Sequence, residues 1–250
     1  MVQTFNPFSL EGKQLLVTGA SAGIGQAIAI ACSKMGAFVI ITGRNVERLN
    51  VTRSLLMGEG HLSIAGDLTN EIDILKIISL VSNLDGIVHC AGIGHRKPCK
   101  LIDKADIENV MDANFKAPVL LQTALLSAKK VNKAASIVFI ASRAADAPSI
   151  GNALYSASKG AIISYAKCLT LELAPRDIRV NCICPAMVWT DLIYKGGLTK
   201  EDLEQEQLKY PLKRYGYPDD VANLAIYLLS DASSWMTGSC IDLTGGANNL

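Results

Sequence analysis

The chain has 250 residues, half of them hydrophobic, and its 24 basic and 23 acidic side chains leave a formal charge of +1. That apolar share supports a large core and excludes disorder as the main state, and the balanced charge gives no electrostatic reason to expect nucleic acid or an anionic membrane surface as partner. Seven scattered cysteines without a C-x-x-C, and three histidines without ligand spacing, point to a reduced cytoplasmic protein with no metal centre.

The chain opens on MVQTFNPFSLEGK, which lacks the basic-then-apolar pattern of a secretory signal, and no apolar run approaches the roughly 20 residues of a membrane helix. A short apolar run at Gln14–Thr18 is followed by glycines and a helical stretch over 24–35. Phe38–Thr42 reads as the next strand, with a polar helix over 46–57 behind it. His61–Ala65, Gly86–Cys90 and Ser136–Ala141 read as further strands, separated by helices near 71–82 and 104–130. A helix over 152–174 leads into Arg179–Ile183, a helix over 219–229 and a last strand at Cys240–Leu243. Short strands alternating with longer helices predict βαβ units, and the near-continuous apolarity of VIIT and IVFIA predicts strands buried on both faces. The expected fold class is α/β: a single doubly wound Rossmann-fold domain over 1–250, with a seven-stranded parallel sheet flanked by helices. In the run over 182–184, Cys182 and Cys184 read as small buried hydrophobes.

Helices 104–130 and 152–174 carry apolar residues on several faces, in the second Leu154, Ala157, Ile162, Ile163, Leu169 and Leu171. A sheet-covering helix needs one apolar stripe. The surplus predicts a homo-oligomer, a tetramer or a dimer, built through these helices.

After the first strand comes Thr18-Gly19-Ala20-Ser21-Ala22-Gly23-Ile24-Gly25. Glycines between the first strand and first helix of a βαβ series favour a dinucleotide over a plain turn. They let backbone approach a pyrophosphate and let the helix aim its N-terminal N–H groups at it. The second strand ends Thr42-Gly43-Arg44-Asn45, with no acid where an NAD ribose would be bonded. Arg44 stands 19 residues after Gly25 and can pair with a 2′-phosphate. NADP(H) is therefore the preferred cofactor, with NAD(H) as the alternative.

The G-x-x-x-G-x-G spacing after Thr18 resembles that of the short-chain dehydrogenase/reductase family, and the resemblance runs through practically the whole chain. Asp67, in Gly66-Asp67-Leu68, matches the family aspartate that meets the adenine, although capping a helix from about 70 would also explain it. His89-Cys90-Ala91-Gly92 occupies the place of Asn-Asn-Ala-Gly, so Ala91 and Gly92 match while His89 must take over, or leave unfilled, a hydrogen bond across the sheet. A satisfied structural histidine is the expectation there. Asn114 falls where the family has a helix-interrupting asparagine of a proton relay, and Pro118 also argues for a local kink. Ser142 precedes Tyr155 by 13 residues, and Tyr155-Ser156-Ala157-Ser158-Lys159 has the Y-x-x-x-K spacing. Pro185-Ala186-Met187-Val188-Trp189-Thr190 resembles the nicotinamide-side segment, with Ala186 for the usual glycine, while Thr237-Gly238 and Thr244-Gly245-Gly246 resemble the closing region. The cofactor-binding set implied is Gly19, Ser21, Ala22, Gly23, Ile24, Gly25, Arg44, Asp67, Leu68, Ala91, Gly92, Tyr155, Lys159, Pro185, Val188 and Thr190. The catalytic set is Asn114, Ser142, Tyr155 and Lys159.

Residues four apart share a helix face, so Lys159 stands beside Tyr155, and its ammonium favours the phenolate of a residue that ordinarily ionises near pH 10. The family resemblance then implies a ketone–secondary alcohol interconversion. Tyr155 is the general acid or base, Ser142 bonds the carbonyl oxygen, Lys159 holds the nicotinamide ribose, and Asn114 positions a water between Lys159 and solvent. Substrate choice is expected to depend on the loops around 93–100, 143–152 and 187–215. The stretch Pro211–Pro218 resembles that of 3-oxoacyl-carrier-protein reductases, with Tyr215 and Tyr217 as departures. Lys129, Lys130 and Lys133 could receive an acidic carrier protein or be a solvated helix end. Sugar, polyol, steroid and small-ketone substrates stay open. The absent ligand set disfavours a zinc-dependent alcohol dehydrogenase, and the presence of Ser142, Tyr155 and Lys159 disfavours a cofactor-binding regulator without activity.

Overall fold

Seven strands form one parallel sheet in the order β3-β2-β1-β4-β5-β6-β7. They are β1 Gln14–Thr18, β2 Phe38–Gly43, β3 Leu62–Ala65, β4 Leu84–His89, β5 Val131–Ile140, β6 Arg179–Pro185 and β7 Cys240–Leu243. The structure is a computed structural model describing residues 6–196 and 199–247. The opening residues 1–5, positions 197 and 198 of the expected substrate segment, and residues 248–250 lie outside the described residues.

Period-two side-chain direction explains why the strand cores are apolar throughout. One set of alternate residues, including Leu16, Ile40, Ile87 and Ile137, faces α3 (Glu71–Leu80), α5 (Ala117–Ser127) and α6 (Ala153–Leu173). The other set, including Leu15, Val17, Val39, Ile41 and Val88, faces α1 (Gly23–Lys34) and α8 (Pro218–Leu229). Both faces are buried, so neither can carry the polar alternation of a solvated sheet.

The expected helix over 104–130 is divided. After α4 (Lys104–Met111) the chain widens into a π-helical turn, Asp112–Lys116, before α5 begins with Pro118 in its first turn. Proline lacks the N–H that an unbroken helix needs there, so the widened turn sits where sequence placed the kink. One helix was not expected: α7, Lys200–Gln207, opens on a capping box between Thr199 and Asp202. The second short polar helix, α2 (Val46–Ser54), is capped by the Asn45 side chain on Arg48 N. Among the described residues no helix is long and apolar enough to cross a membrane.

Candidate active site

All the loops that follow the carboxyl ends of β1, β2, β4, β5 and β6 open on one side of the sheet and line a cleft of about 660 Å³. Its first wall is the glycine turn. Gly19 has φ +64°, and a Cβ there would lie 2.8 Å from Ala91 N and Cα. A Cβ on Gly25 would lie 2.4 Å from Gly19 O, closer than any real contact. These two positions demand glycine because the turn is pressed against the end of β4 and folds over the first turn of α1. The Thr18 hydroxyl fixes that contact: it donates to Val88 O at 3.3 Å and accepts from Cys90 N at 3.0 Å and Ala91 N at 3.1 Å. α1 starts at Gly23 on an Ala22 N-cap without a side-chain cap and without an acid in its first turn. Its free N–H groups therefore present an anion-binding end to the cleft.

Arg44 follows β2 on the exposed rim, beside Asp67 after β3. Partial burial works to raise the Asp67 carboxyl, but bonds from Thr69 N and Oγ1 and the nearby Arg44 guanidinium hold it below the usual carboxylate value. The helix-capping alternative for Asp67 fails, because α3 is capped by Asn70 on Ile72 N at 2.9 Å.

The second wall belongs to β5 and α6. Ser142, two residues beyond β5, is extended and almost wholly buried, and its Oγ accepts from Ala144 N at 3.1 Å. That leaves its O–H free to donate. Lys159 is buried at 6% exposure, donates to Ile140 O at 2.9 Å and lies 5.7 Å from the Tyr155 ring centroid. Pro185, which ends β6, with Val188 and Thr190 beyond it complete the floor; the segment is anchored where Trp189 N donates to Gly216 O at 2.9 Å.

Every expected site residue lines this cleft except Asn114. Asn114 sits behind the wall in the π turn, 2% exposed, its Oδ1 accepting from Ile93 N at 2.7 Å. Its Nδ2 donates to Ile93 O and Ser158 Oγ, each at 3.0 Å. The side chain thus ties the loop after β4 to the helix that carries Tyr155 and Lys159. Gly92 is where they converge: a Cβ there would lie 3.0 Å from Asn114 Oδ1 and 3.6 Å from Lys159 Nζ.

His89 makes no hydrogen bond across the sheet. Its Nε2 meets Gln122 Oε1 of α5 at 2.9 Å, and its ring stacks on Phe139 at 4.6 Å. Burial lowers its pKa to about 4, with the Gln122 bond opposing, so it is a neutral structural histidine. Neighbouring Cys90 faces the cleft, with burial raising its thiol pKa to about 12 despite Lys159. Among the described residues no group of three His, Cys, Asp or Glu could hold a metal.

Sequence reasoning missed Arg48, whose Nη1 reaches Asp191 Oδ2 at 3.4 Å, joining two cleft-lining segments from β2 and β6. It also missed Arg143, beside Ser142, which pairs with Asp146 at 3.6 Å and Asp242 at 3.4 Å. Neither contact has a local signature, because Asp191 and Asp242 come from distant segments of the chain. The three loop regions expected to shape substrate do converge, through Ile93 and His95, Ser149 and Asn152, and Met187 and Tyr210. The lysines considered for a carrier protein are partly committed elsewhere: Lys130 donates to Val81 O at 2.7 Å and Lys133 pairs with Asp177 at 3.2 Å.

A family model described as Enoyl-(Acyl carrier protein) reductase matches residues 19–248. The chain is 36% identical over 237 residues to a 3-oxoacyl-(acyl-carrier-protein) reductase from Rickettsia felis, covering 95% of this chain and 97% of the relative. A solved Brucella melitensis structure described as a short-chain dehydrogenase/reductase, glucose/ribitol dehydrogenase, superposes with a TM-score of 0.90 at 32% identity, over 96% of this chain and 98% of that one. A 3-ketoacyl-(acyl-carrier-protein) reductase from the same organism, solved with NADH, superposes with a TM-score of 0.86 at 31% identity, over 96% and 100%.

Proposed function

The chain belongs to the short-chain dehydrogenase/reductase family of oxidoreductases, and from that premise we propose that it interconverts a ketone and a secondary alcohol, preferring NADP(H), with Ser142, Tyr155 and Lys159 as its working residues. One observation carries the proposal: these three side chains share one cleft with the uncapped N-terminus of α1 and with Arg44.

The residues present fit a nicotinamide dinucleotide. The turn at Gly19 and Gly25, which a Cβ would fill, and the N–H groups of α1 suit its pyrophosphate. Asp67 and Leu68 would hold the adenine end, Arg44 suits a 2′-phosphate, and Gly92, Pro185, Val188 and Thr190 would hold the nicotinamide end. Bound there, the cofactor supplies or accepts the hydride.

The chain's own residues handle the proton and the charge. Tyr155 gives its phenolic proton to the substrate oxygen in reduction and takes it back in oxidation. The Ser142 hydroxyl donates to the same oxygen, where negative charge develops. Lys159, held by the Ile140 carbonyl, keeps its ammonium beside the Tyr155 ring, where it would bond the ribose hydroxyls of a bound nicotinamide nucleotide. Asn114 holds the loop after β4 against α6 through Ile93 and Ser158, which keeps the helix turn bearing Tyr155 and Lys159 in place.

For substrate we favour a 3-oxoacyl thioester, supported by the similarity to the Rickettsia felis reductase over nearly the full chain and by the apolar cleft walls at Ile93, Met187, Leu192 and Ile193. The test is a panel of 3-oxoacyl thioesters, keto-sugars, polyols and steroids, each with NADPH or NADP followed optically. Turnover of a thioester well above the sugars supports this reading. Activity confined to polyols moves the substrate class, and no activity with any carbonyl or alcohol removes the proposal.

A further inference from the structure

On the far side of the catalytic wall, at the β6–β7 edge of the sheet, Cys182 and Cys240 are register partners in adjacent parallel strands. Paired residues in neighbouring strands point to the same face, here the face packed by α6, since Cys182 and Cys184 belong to the core cluster with Ile162, Ile163 and Leu169. The two cysteines differ in surroundings. Cys182 is buried and Cys240, on the edge strand, is exposed. Neither lines the cleft. Adjacent strands run about 4.8 Å apart, inside the Cα separation of roughly 4.4–6.8 Å that a disulfide spans.

We propose that Cys240 and Cys182 form a thiol-exchange site for low-molecular-weight disulfides, with Cys240 as the attacking sulfur and Cys182 as the resolving one. The electrostatics agree with that division. The Cys182 thiol hydrogen-bonds to Cys240 and lowers its pKa to about 7; burial opposes this, the Lys167 ammonium of α6 adds to it, and Asp146 and Asp242 work against it. The same bond and burial push the Cys182 thiol upward, so it stays protonated. A thiol whose pKa lies near ambient pH combines thiolate fraction and nucleophilicity best. Cys184, raised to about 12 mainly by burial, has Asp242 rather than a cysteine as its register partner, so it does not compete.

In the first step the Cys240 thiolate attacks one sulfur of the small disulfide. A bond forms between Cys240 Sγ and that sulfur, and the other half leaves as a thiolate. The Cys182 sulfur then attacks Cys240 Sγ while its proton passes to the departing sulfur, closing the cross-strand bridge and expelling the second half as a thiol. Two protein thiols are oxidised by two electrons and one small disulfide is reduced to two thiols.

The test uses the native assembly, reduced, desalted and incubated with glutathione disulfide near neutral pH, then acid-quenched and mapped by peptide mass spectrometry. The wild type should lose two free thiols, both in a Cys182–Cys240 linked peptide. Cys182→Ser should stop at one glutathione on Cys240, and Cys240→Ser should leave Cys182 free. The rate of Cys240 alkylation in the unmutated protein should rise with a midpoint near pH 7, a readout independent of any variant's folding. A Cys240 that resists modification in the assembly, reacts no faster than exposed Cys99 and Cys168, or alkylates with a midpoint above about 8, the range of an ordinary thiol, overturns the proposal. None of these readouts depends on turnover of a carbonyl substrate.

Discussion

The Lys159 ammonium lies 5.7 Å from the centroid of the Tyr155 ring, held there by a 2.9 Å bond to the Ile140 carbonyl. The lysine is therefore positioned by β5, and α6 only presents it. Removing the phenolic hydroxyl alone tests the proton-transfer role without disturbing that arrangement. Tyr155→Phe is expected to lower kcat by about 10²–10⁴, the range for a general acid or base, while NADPH affinity stays close to wild type. Steady-state kinetics on a validated substrate, with a parallel cofactor titration, measure both. Wild-type turnover in the variant would show that Tyr155 does not carry the proton.

The proposed preference for NADP(H) rests on Arg44, exposed on the cleft rim where no acid replaces it. A hydrogen bond to a charged group contributes about 1.5–3 kcal/mol, so Arg44→Ala should weaken NADPH binding roughly ten- to hundredfold and leave NADH nearly unchanged. Gly43→Asp with Arg44→Ile should reverse the preference. A Cβ at Gly43 would lie 3.3 Å from Ser21 Oγ, so the aspartate needs a small adjustment of that hydroxyl. Titration of both cofactors decides it, and tighter NADH binding by the wild type overturns the assignment.

Strand cores and the glycine turn were legible because their causes are local. Apolar runs such as VIIT need burial on both faces, and Gly19 and Gly25 stand where backbone meets backbone. α7 went unread although the Thr199–Asp202 capping box announces it; its polar composition hid a helix that buries Leu203 alone. The role of Asn114 was legible only in part. Sequence placed the helix break, whereas its clasp on Ile93 and Ser158 depends on two elements 21 and 44 residues away. His89 illustrates the same limit: its partner Gln122 comes from α5, which no strand-end motif names.

His89 also makes the fold sensitive to acid. Its folded pKa of about 4 lies below the ordinary 6.5, so the unfolded chain binds the proton more readily. The neutral ring's contribution is fully present above about pH 6.5 and is lost as pH falls toward 4. At about 1.4 kcal/mol per unit that amounts to roughly 3 kcal/mol. His89→Asn should flatten the stability profile between these limits, measured by urea unfolding at a series of pH values. An unchanged slope in the variant would assign the acid sensitivity to other groups.

Assembly is the last expectation, and the structure narrows its basis. Ile162, Ile163 and Leu169 of α6, counted from sequence as surplus, are buried in the chain's own core. The uncovered apolar groups on the two helical segments are fewer: Leu171 at 77% exposure, Leu120 at 51% and Ile107 at 46%. On the same two segments Phe115 and Tyr165 form a half-buried edge-to-face pair, 6.5 Å apart. Covering such a face contributes roughly 25 cal/mol per Å², and a standard interface of about 1,600 Å² offsets the cost of association. The same helix carries Tyr155 and Lys159, so pairing through it would brace the catalytic wall. Light scattering at micromolar concentration should give a mass two or four times 26.7 kDa, and Leu120→Glu with Leu171→Glu should lower it. A wild-type mass equal to the monomer's would show that these exposed side chains are tolerated in water and that no second copy covers them.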